Sequence, residues 1–64
     1  SKKLYPITLL GNLSREDEQK FSDSGIMLLK DIDSIEIEKL HSLTHINFKK
    51  LKELKALAHK ILTS

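Results

Sequence analysis

The chain has 64 residues, with 11 basic and 9 acidic side chains and a formal net charge of +2. Hydrophobic residues make up 39% and charged residues 31% of it, a balance typical of a globular domain and too apolar for a disordered tail. No cysteine is present, which excludes disulfides, zinc–thiolate sites and thiol catalysis.

The hydrophobic residues do not predict a membrane protein. The longest apolar run, residues 26–29, is far shorter than the roughly 20 residues of a membrane-spanning helix. The N-terminal stretch also lacks the long apolar core of a secretory signal. We therefore expect a cytoplasmic location and no membrane partner.

Charge divides the chain into an acidic and a basic part. Between residues 14 and 38, eight acidic side chains outnumber three basic ones, whereas residues 39–64 carry six lysines and one glutamate. A basic surface attracts polyanions, so the second part is the better candidate for a binding site.

Residues 1–13 are expected to form an N-terminal arm packed on the core. Pro6 fixes its own φ and favours an extended conformation at Tyr5. The apolar side chains of this arm should lie across the helices and close the core. They are Leu4, Tyr5, Ile7, Leu9, Leu10 and Leu13. Residues 14–64 then form a single helical domain, which we expect to be part of a larger protein.

The first helix has clear signals at both ends. Ser14 followed by Asp17 predicts an N-cap in a variant of the capping box, and acidic residues in the first turn suit the helix dipole. Gly25 predicts the end of this helix, in a left-handed conformation. Phe21 is its main inward-facing side chain, so the helix depends on its neighbours for stability.

The middle of the chain predicts two short helical segments. A helical turn over residues 28–32 should be buried on most sides because it is largely apolar. Asp33 followed by Glu36 predicts the start of the next helix, in which Ile37 and Leu40 face the core. The apolar–polar alternation near Ile37 covers only four residues and has no partner strand, so a helix is favoured over a strand.

The last helix has the clearest pattern in the chain. Asn47 is a favoured N-cap residue, and the apolar residues after it recur at steps of three and four. They are Phe48, Leu51, Leu54, Leu57, Ala58, Ile61 and Leu62. This stripe predicts an amphipathic helix of about four turns whose docking is the largest stabilising term. The whole chain predicts an all-α fold: a compact bundle of four to five short helices with an N-terminal apolar arm.

No catalytic residues stand out. The acidic residues occupy helix starts, where capping explains them, and no nucleophile motif or glycine-rich phosphate loop occurs. We therefore expect neither enzymatic activity nor a cofactor. His41 and His45 have a spacing that can bind metal, but no third ligand is evident. A structural or surface role is favoured for both, with His45 at a helix end, and no metal site is predicted.

The basic face of the last helix is the main candidate for a binding site. Lys49 and Lys50 fall in its first turn, beside Asn47 and backbone N–H groups that suit a phosphate. Alternatively, the lysines only keep an amphipathic helix in solution. No aromatic residue interleaves with the lysines on the outer face, so we do not expect stacking of single-stranded bases.

The order and spacing of four segments carry a family resemblance. They are Ser-Gly-Ile at 24–26, Leu-Leu-Lys-Asp-Ile at 28–32, Ile-Glu-Lys-Leu at 37–40 and His-Ile-Asn-Phe-Lys-Lys-Leu-Lys-Glu-Leu at 45–54. Together they resemble the C-terminal domain of the bacterial RNA polymerase α subunit and, more broadly, degenerate helix-hairpin-helix domains. The resemblance covers residues 7–62 and rests on order, spacing and apolar register.

This resemblance implies a helical module, tethered to a larger protein, that binds DNA through the minor groove and backbone or binds regulatory proteins. By position, the DNA-facing residues of the family fall on Glu16, Gln19, Lys20, Asn47, Lys49 and Lys50. Glu16 stands where the family has its key basic residue and would repel phosphate. Asn47 stands at the hairpin glycine and adopts special backbone angles less freely.

Two functional interpretations follow. The first is a non-catalytic accessory module that contacts the DNA backbone, with weak sequence selectivity, in a transcription or nucleic-acid context. Its binding residues are Asn47, Lys49, Lys50, Lys52 and Lys20, and Lys55 adds long-range attraction.

The second interpretation is a protein–protein interaction module that keeps the fold and has lost the DNA site. Its acidic first helix or its lysine face would meet a partner protein, or a domain of the parent chain, of opposite charge. DNA affinity should fall steeply with salt, and specific protein docking less so. The oligomeric state, and the choice between DNA and RNA, stay open.

Overall fold

The computed structural model describes residues 4–64, and the first three residues of the arm lie outside that range. A 3₁₀ turn at Ile7–Leu9 precedes four α-helices, which are α1 (Arg15–Asp23), α2 (Leu29–Ser34), α3 (Ile37–Thr44) and α4 (Phe48–Thr63). No strand occurs within the described range, which confirms the predicted all-α fold. No helix of this range has the length and apolar composition needed to cross a membrane.

The longest helix, α4, is the central element of the packing. It contacts α2 most extensively and α3 next. Leu51, Leu54 and Ala58 are fully buried on one side of it, and three further apolar side chains pack partly buried against the core. They are Leu57, Ile61 and Leu62. The predicted stripe is therefore confirmed for six of its seven members, and Phe48 is the exception.

The rest of the core comes from every other element. Each of α1, α2 and α3 contributes only one or two buried apolar side chains, and the arm and the connections supply the others. These side chains are Ile7, Leu10, Phe21, Ile26, Leu29, Ile32, Leu40 and Ile46. Helices this short are marginal in water by themselves, so packing against α4 is what stabilises them.

Two of the three helix caps predicted from the sequence are present. The Ser14 hydroxyl accepts a hydrogen bond from the Asp17 N–H at 3.2 Å. The Asn47 side-chain oxygen accepts one from the Lys50 N–H at 2.8 Å. Gly25 follows the end of α1 with a φ of 79°, a left-handed conformation that glycine adopts without steric strain.

The junction between α2 and α3 differs from the prediction. The expected turn over 28–32 is a helix over Leu29–Ser34, so Asp33 lies inside α2 and does not begin the next helix. Glu36 occupies the N-cap position of α3 and makes no side-chain capping hydrogen bond. The Asp33 carboxylate instead pairs with His59 Nδ1 of α4, at 3.1 Å.

The described part of the arm is held by backbone hydrogen bonds. The Ile7 N–H donates to the Met27 carbonyl at 3.1 Å, and the Leu29 N–H donates to the Tyr5 carbonyl at 2.9 Å. These bonds flank an isolated antiparallel bridge between Pro6 and the segment that leads into α2. The arm therefore runs beside that segment and not across the whole helical face.

Only part of the arm is covered by the helices. Ile7 and Leu10 are buried, whereas Leu4 is 58% and Leu9 51% exposed. Tyr5 is also exposed, so the expectation that all six apolar side chains would close the core is wrong for Leu4, Tyr5 and Leu9. Because the chain turns at Ile7–Leu9, only one residue of that turn faces the core. The division into an arm and a separate helical domain of a larger protein stays a prediction.

Candidate nucleic-acid interface

The connection between α3 and α4 is fixed by hydrogen bonds. His45 takes a left-handed conformation with a φ of 61°, and its N–H donates to the His41 carbonyl at 2.8 Å. The Thr44 hydroxyl donates to the Leu40 carbonyl at 2.7 Å and accepts the Ile46 N–H at 3.3 Å. These contacts end α3 at the predicted helix end and determine where α4 begins.

The two histidines of this connection are not arranged as a metal site. His41 Nδ1 lies 2.8 Å from the Ile46 carbonyl oxygen, which can only accept, so this nitrogen carries the proton. His45 lies beyond the last residue of α3. Among residues 4–64, no group of three or more potential metal ligands comes together.

The first turn of α4 lies beside the start of α1. Lys50 Nζ donates a hydrogen bond of 2.7 Å to the carbonyl of Asn12, two residues before the Ser14 cap. A single side chain spans the gap, so the two helix N-termini are neighbours. The resemblance placed DNA-facing residues along the first helix and at the start of the last one, and the structure brings the starts of these two helices together.

Lys49 and Lys52 extend from the outer side of α4. At 100° per residue they lie about 170° and 130° from the centre of the buried stripe. Both are exposed, and neither ammonium group has a hydrogen-bond or ion-pair partner in the described part of the chain. Their charges are therefore available to a ligand.

Lys55 makes hydrogen bonds that the sequence did not predict. Its ammonium group donates to the carbonyls of Ile32, Asp33 and Ile35, at 2.8, 3.0 and 2.5 Å. These bonds occupy all three of its N–H donors, at the C-terminus of α2, where a positive charge suits the helix dipole. These bonds join α2 to α4, and the long-range attraction to DNA expected of Lys55 stays a prediction.

Lys20 lies apart from the other predicted binding residues. It belongs to the last turn of α1, about 9 Å along the helix axis from the Ser14 cap. That end of α1 is joined to α3, because the Ser24 hydroxyl donates to the Leu43 carbonyl at 3.0 Å. No described contact links Lys20 to Lys49, Lys50 or Lys52.

Acidic side chains border the lysine group. The first turn of α1 contains Glu16, Asp17 and Glu18, and the first turn of α4 contains no acid. Because the two turns are neighbours, the acids weaken any attraction of phosphate to the α1 side. The expectation that Glu16 works against use of the whole surface implied by the resemblance stays a prediction.

Within the candidate interface, Phe48 differs from its predicted position. It was expected in the core but is 44% exposed, and its ring stacks on that of His41 with centroids 4.3 Å apart and planes inclined by 26°. As the first residue of α4 it lies about 90° from the centre of the buried stripe, an angle that the sequence already contained. An aromatic ring thus stands beside the exposed lysines, contrary to the expectation that none would.

Residues 5–62 match the protein family described as AF1548-like, C-terminal. The chain belongs to this family. The description of the family names no ligand and no activity. The resemblance to the RNA polymerase α domain and to helix-hairpin-helix domains stays a prediction. No curated protein and no solved structure matches the chain.

In this AF1548-like C-terminal domain, the matched range includes the whole candidate interface. The arrangement supplies two kinds of anion-binding group. Helix geometry leaves the N–H groups of Phe48 and Lys49 without an intrahelical acceptor, and the ammonium groups of Lys49 and Lys52 are exposed beside them. Backbone N–H groups at a helix start and lysine ammonium groups are both groups that bind phosphate in proteins.

Proposed function

We propose that this domain is a non-catalytic accessory module that contacts the DNA backbone, with weak sequence selectivity, in transcription or another nucleic-acid process. The observation that carries the proposal is the neighbouring position of the α1 and α4 starts, joined through Lys50 and Asn12. It agrees with the resemblance to the RNA polymerase α C-terminal domain. A role on DNA also agrees with the cytoplasmic location expected from the sequence.

The contact is expected to be centred on α4. Lys49 and Lys52 offer free ammonium groups, and Lys50 retains two N–H donors beyond the one directed at Asn12. Asn47 acts by capping α4, which positions the backbone N–H groups of that turn. Lys20 should contribute less, because it lies at the other end of α1. Contacts of this kind position a protein on DNA without reading its sequence.

A second candidate function is protein binding, and a separate surface favours it. Leu4, Leu9 and Met27 are more than half exposed. A shallow groove of about 190 Å³ lies nearby, lined in part by Pro6 and Ile26. Apolar surface of this kind is typical of docking sites, so a partner protein or a domain of the parent chain would bind here.

Salt dependence separates the two functions. A fluorescently labelled 20-base-pair duplex would be titrated with the domain, and its anisotropy followed, at several salt concentrations. Backbone contact requires an affinity that falls steeply with salt, because each phosphate contact releases counterions. An absence of binding at low salt would refute the DNA proposal and leave the protein-binding function.

A charge-reversed variant ties the binding to the proposed residues. Lys49→Glu with Lys52→Glu should weaken duplex binding by more than about tenfold at low salt. Lys39→Glu with Lys60→Glu is the matched control, because it makes the same charge change at two exposed positions outside the first turn of α4. Equal losses in both double variants would indicate nonspecific attraction to net charge, and retained affinity in the Lys49→Glu with Lys52→Glu variant would exclude the α4 site.

A further inference from the structure

Phe48 and His41 form an exposed aromatic pair at the junction of α3 and α4. Their rings are nearly parallel, with centroids 4.3 Å apart, and 44% of the Phe48 surface is accessible. One face of the phenyl ring is therefore covered by the imidazole, and the rest of its accessible surface is open to solvent. Phe48 therefore contacts His41 from a position outside the buried core.

The pair is held in place before any ligand arrives. His41 belongs to α3 and its Nδ1 bonds the Ile46 carbonyl at 2.8 Å, and Phe48 is the first residue of α4. The connection between the two helices is in turn fixed by Thr44 and His45. A ring that is already positioned loses little conformational entropy when a ligand stacks on it.

Free positive charge lies on the outer side of the phenyl ring. Lys49 is its neighbour in sequence, and Lys52 lies one turn further along α4, on the adjoining part of the helix surface. Neither ammonium group is engaged within residues 4–64. The ring and the lysines together match a nucleotide, which has a flat base and an anionic phosphate.

An unpaired nucleotide fits this site better than a paired one. In duplex DNA both faces of a base are covered by its neighbours, whereas a single-stranded base can stack on an aromatic ring. Stacking on Phe48 would leave the adjacent phosphates within the field of Lys49 and Lys52. We infer that Phe48 stacks an unpaired base of single-stranded DNA beside the backbone-contact site. The domain then prefers places where duplex and single strand meet. This inference rests on the proposed function for its backbone contacts.

Two DNA probes test the inference separately from the proposed function. One is a blunt 20-base-pair duplex and the other is the same duplex with a four-thymidine 3′ overhang. Wild-type domain should bind the overhang probe at least about fivefold more tightly, the effect of one stacked base. Equal affinities with salt-sensitive binding of both would overturn the inference and leave the proposed function standing. Failure to bind either probe would overturn both.

The variant Phe48→Leu isolates the stacking. Leucine keeps an apolar side chain at this half-exposed position but offers no ring. The ratio of the affinities for the overhang probe and the blunt duplex should fall to about one, because leucine offers no face on which a base can stack. A preference that survives in this variant would overturn the inference.

A tryptophan at the same position gives a direct readout. The chain contains no tryptophan, so Phe48→Trp introduces a single reporter whose fluorescence a stacked base quenches. A 15-mer of thymidine should quench it and the blunt duplex should not. Quenching by the duplex alone would overturn the inference, and stronger quenching by a uridine 15-mer would reassign the site to RNA. A far-UV circular dichroism spectrum equal to that of wild type shows that the variant is folded.

Discussion

The starts of α1 and α4 are similar in geometry and opposite in charge. Each has a polar side chain that caps the helix, Ser14 in α1 and Asn47 in α4, and a lysine side chain joins the two. The first turn of α1 holds three acids, which suit the positive end of the helix dipole, whereas that of α4 holds none. The acids of α1 therefore stabilise their helix, and Lys49 opposes the dipole of its own.

The difference between the two helix starts distinguishes charged side chains that stabilise the fold from charged side chains that do not. A charge that accords with a dipole or bonds the backbone contributes to folding, as Lys55 does at the end of α2. A charge that opposes a dipole and has no partner makes no such contribution, so Lys49 is the better candidate for function. The predictions below test this distinction, from the largest expected effect to the smallest.

Lys55→Met should have the largest effect on stability. The substitution keeps most of the aliphatic stem but removes the donors to three carbonyls near the end of α2. Leaving part-buried carbonyls without a partner should lower the free energy of unfolding by about 2 kcal/mol. Urea denaturation measures it, with Lys52→Met as the control. Equal stabilities of the two variants would contradict the structural role of Lys55.

The next largest effect should be on duplex binding, when Lys49 and Lys52 are replaced. The Lys49→Glu and Lys52→Glu double variant should reduce the slope of log affinity against log salt by about two, because two phosphate contacts are lost. Anisotropy titrations between low and moderate salt give the slope. A slope equal to that of wild type would show that neither lysine contacts a phosphate.

Removal of either cap should lower the stability of the domain by the same amount, but the two removals should affect duplex binding differently. Ser14→Ala and Asn47→Ala each remove one capping hydrogen bond and should each lower the free energy of unfolding by about 1 kcal/mol. Only Asn47→Ala should also weaken binding of the duplex, because it loosens the turn that carries the phosphate donors. The same loss of affinity in both variants would indicate that global destabilisation, and not the α4 turn, is responsible.

The smallest effect is expected for Lys49→Glu, which should raise the stability of the domain and lower its affinity for duplex DNA. Lys49→Glu places a negative charge in the first turn of α4 and should raise the free energy of unfolding by about 0.5 kcal/mol at low salt. The same variant should bind duplex DNA more weakly. Thermal unfolding at two salt concentrations measures the first effect, which should shrink as salt is added. A variant less stable than wild type would contradict the comparison of the two helix starts.

Features that depend on neighbouring residues were predictable from the sequence. Both caps, the left-handed Gly25 and most of the α4 stripe rest on signals within a few residues of one another. The all-α fold follows from these local signals. In the candidate site, the exposed position of Lys49 was predictable for the same reason, because it follows from helical periodicity.

Features that depend on tertiary contacts were not predictable. The carbonyl partner of Lys50 is 38 residues away in sequence, and those of Lys55 are 20 to 23 residues away. A long flexible side chain can face water or a distant backbone, and the local pattern is the same in both cases. Asp33 shows the same limit, since its partner His59 lies on α4. Phe48 was the avoidable error, because its angle on the helix already separated it from the stripe.

In the hydrogen bond from Lys50 to Asn12, a backbone carbonyl occupies an ammonium donor that a phosphate ligand would also use. A phosphate that recruits this ammonium group must share it or displace the Asn12 carbonyl, which would then turn to water. The segment before α1 is thereby linked to occupancy of the α4 site, although it has no charge of its own there. Phosphate binding at the start of α4 would therefore change the contacts of the backbone before α1, through this one side chain.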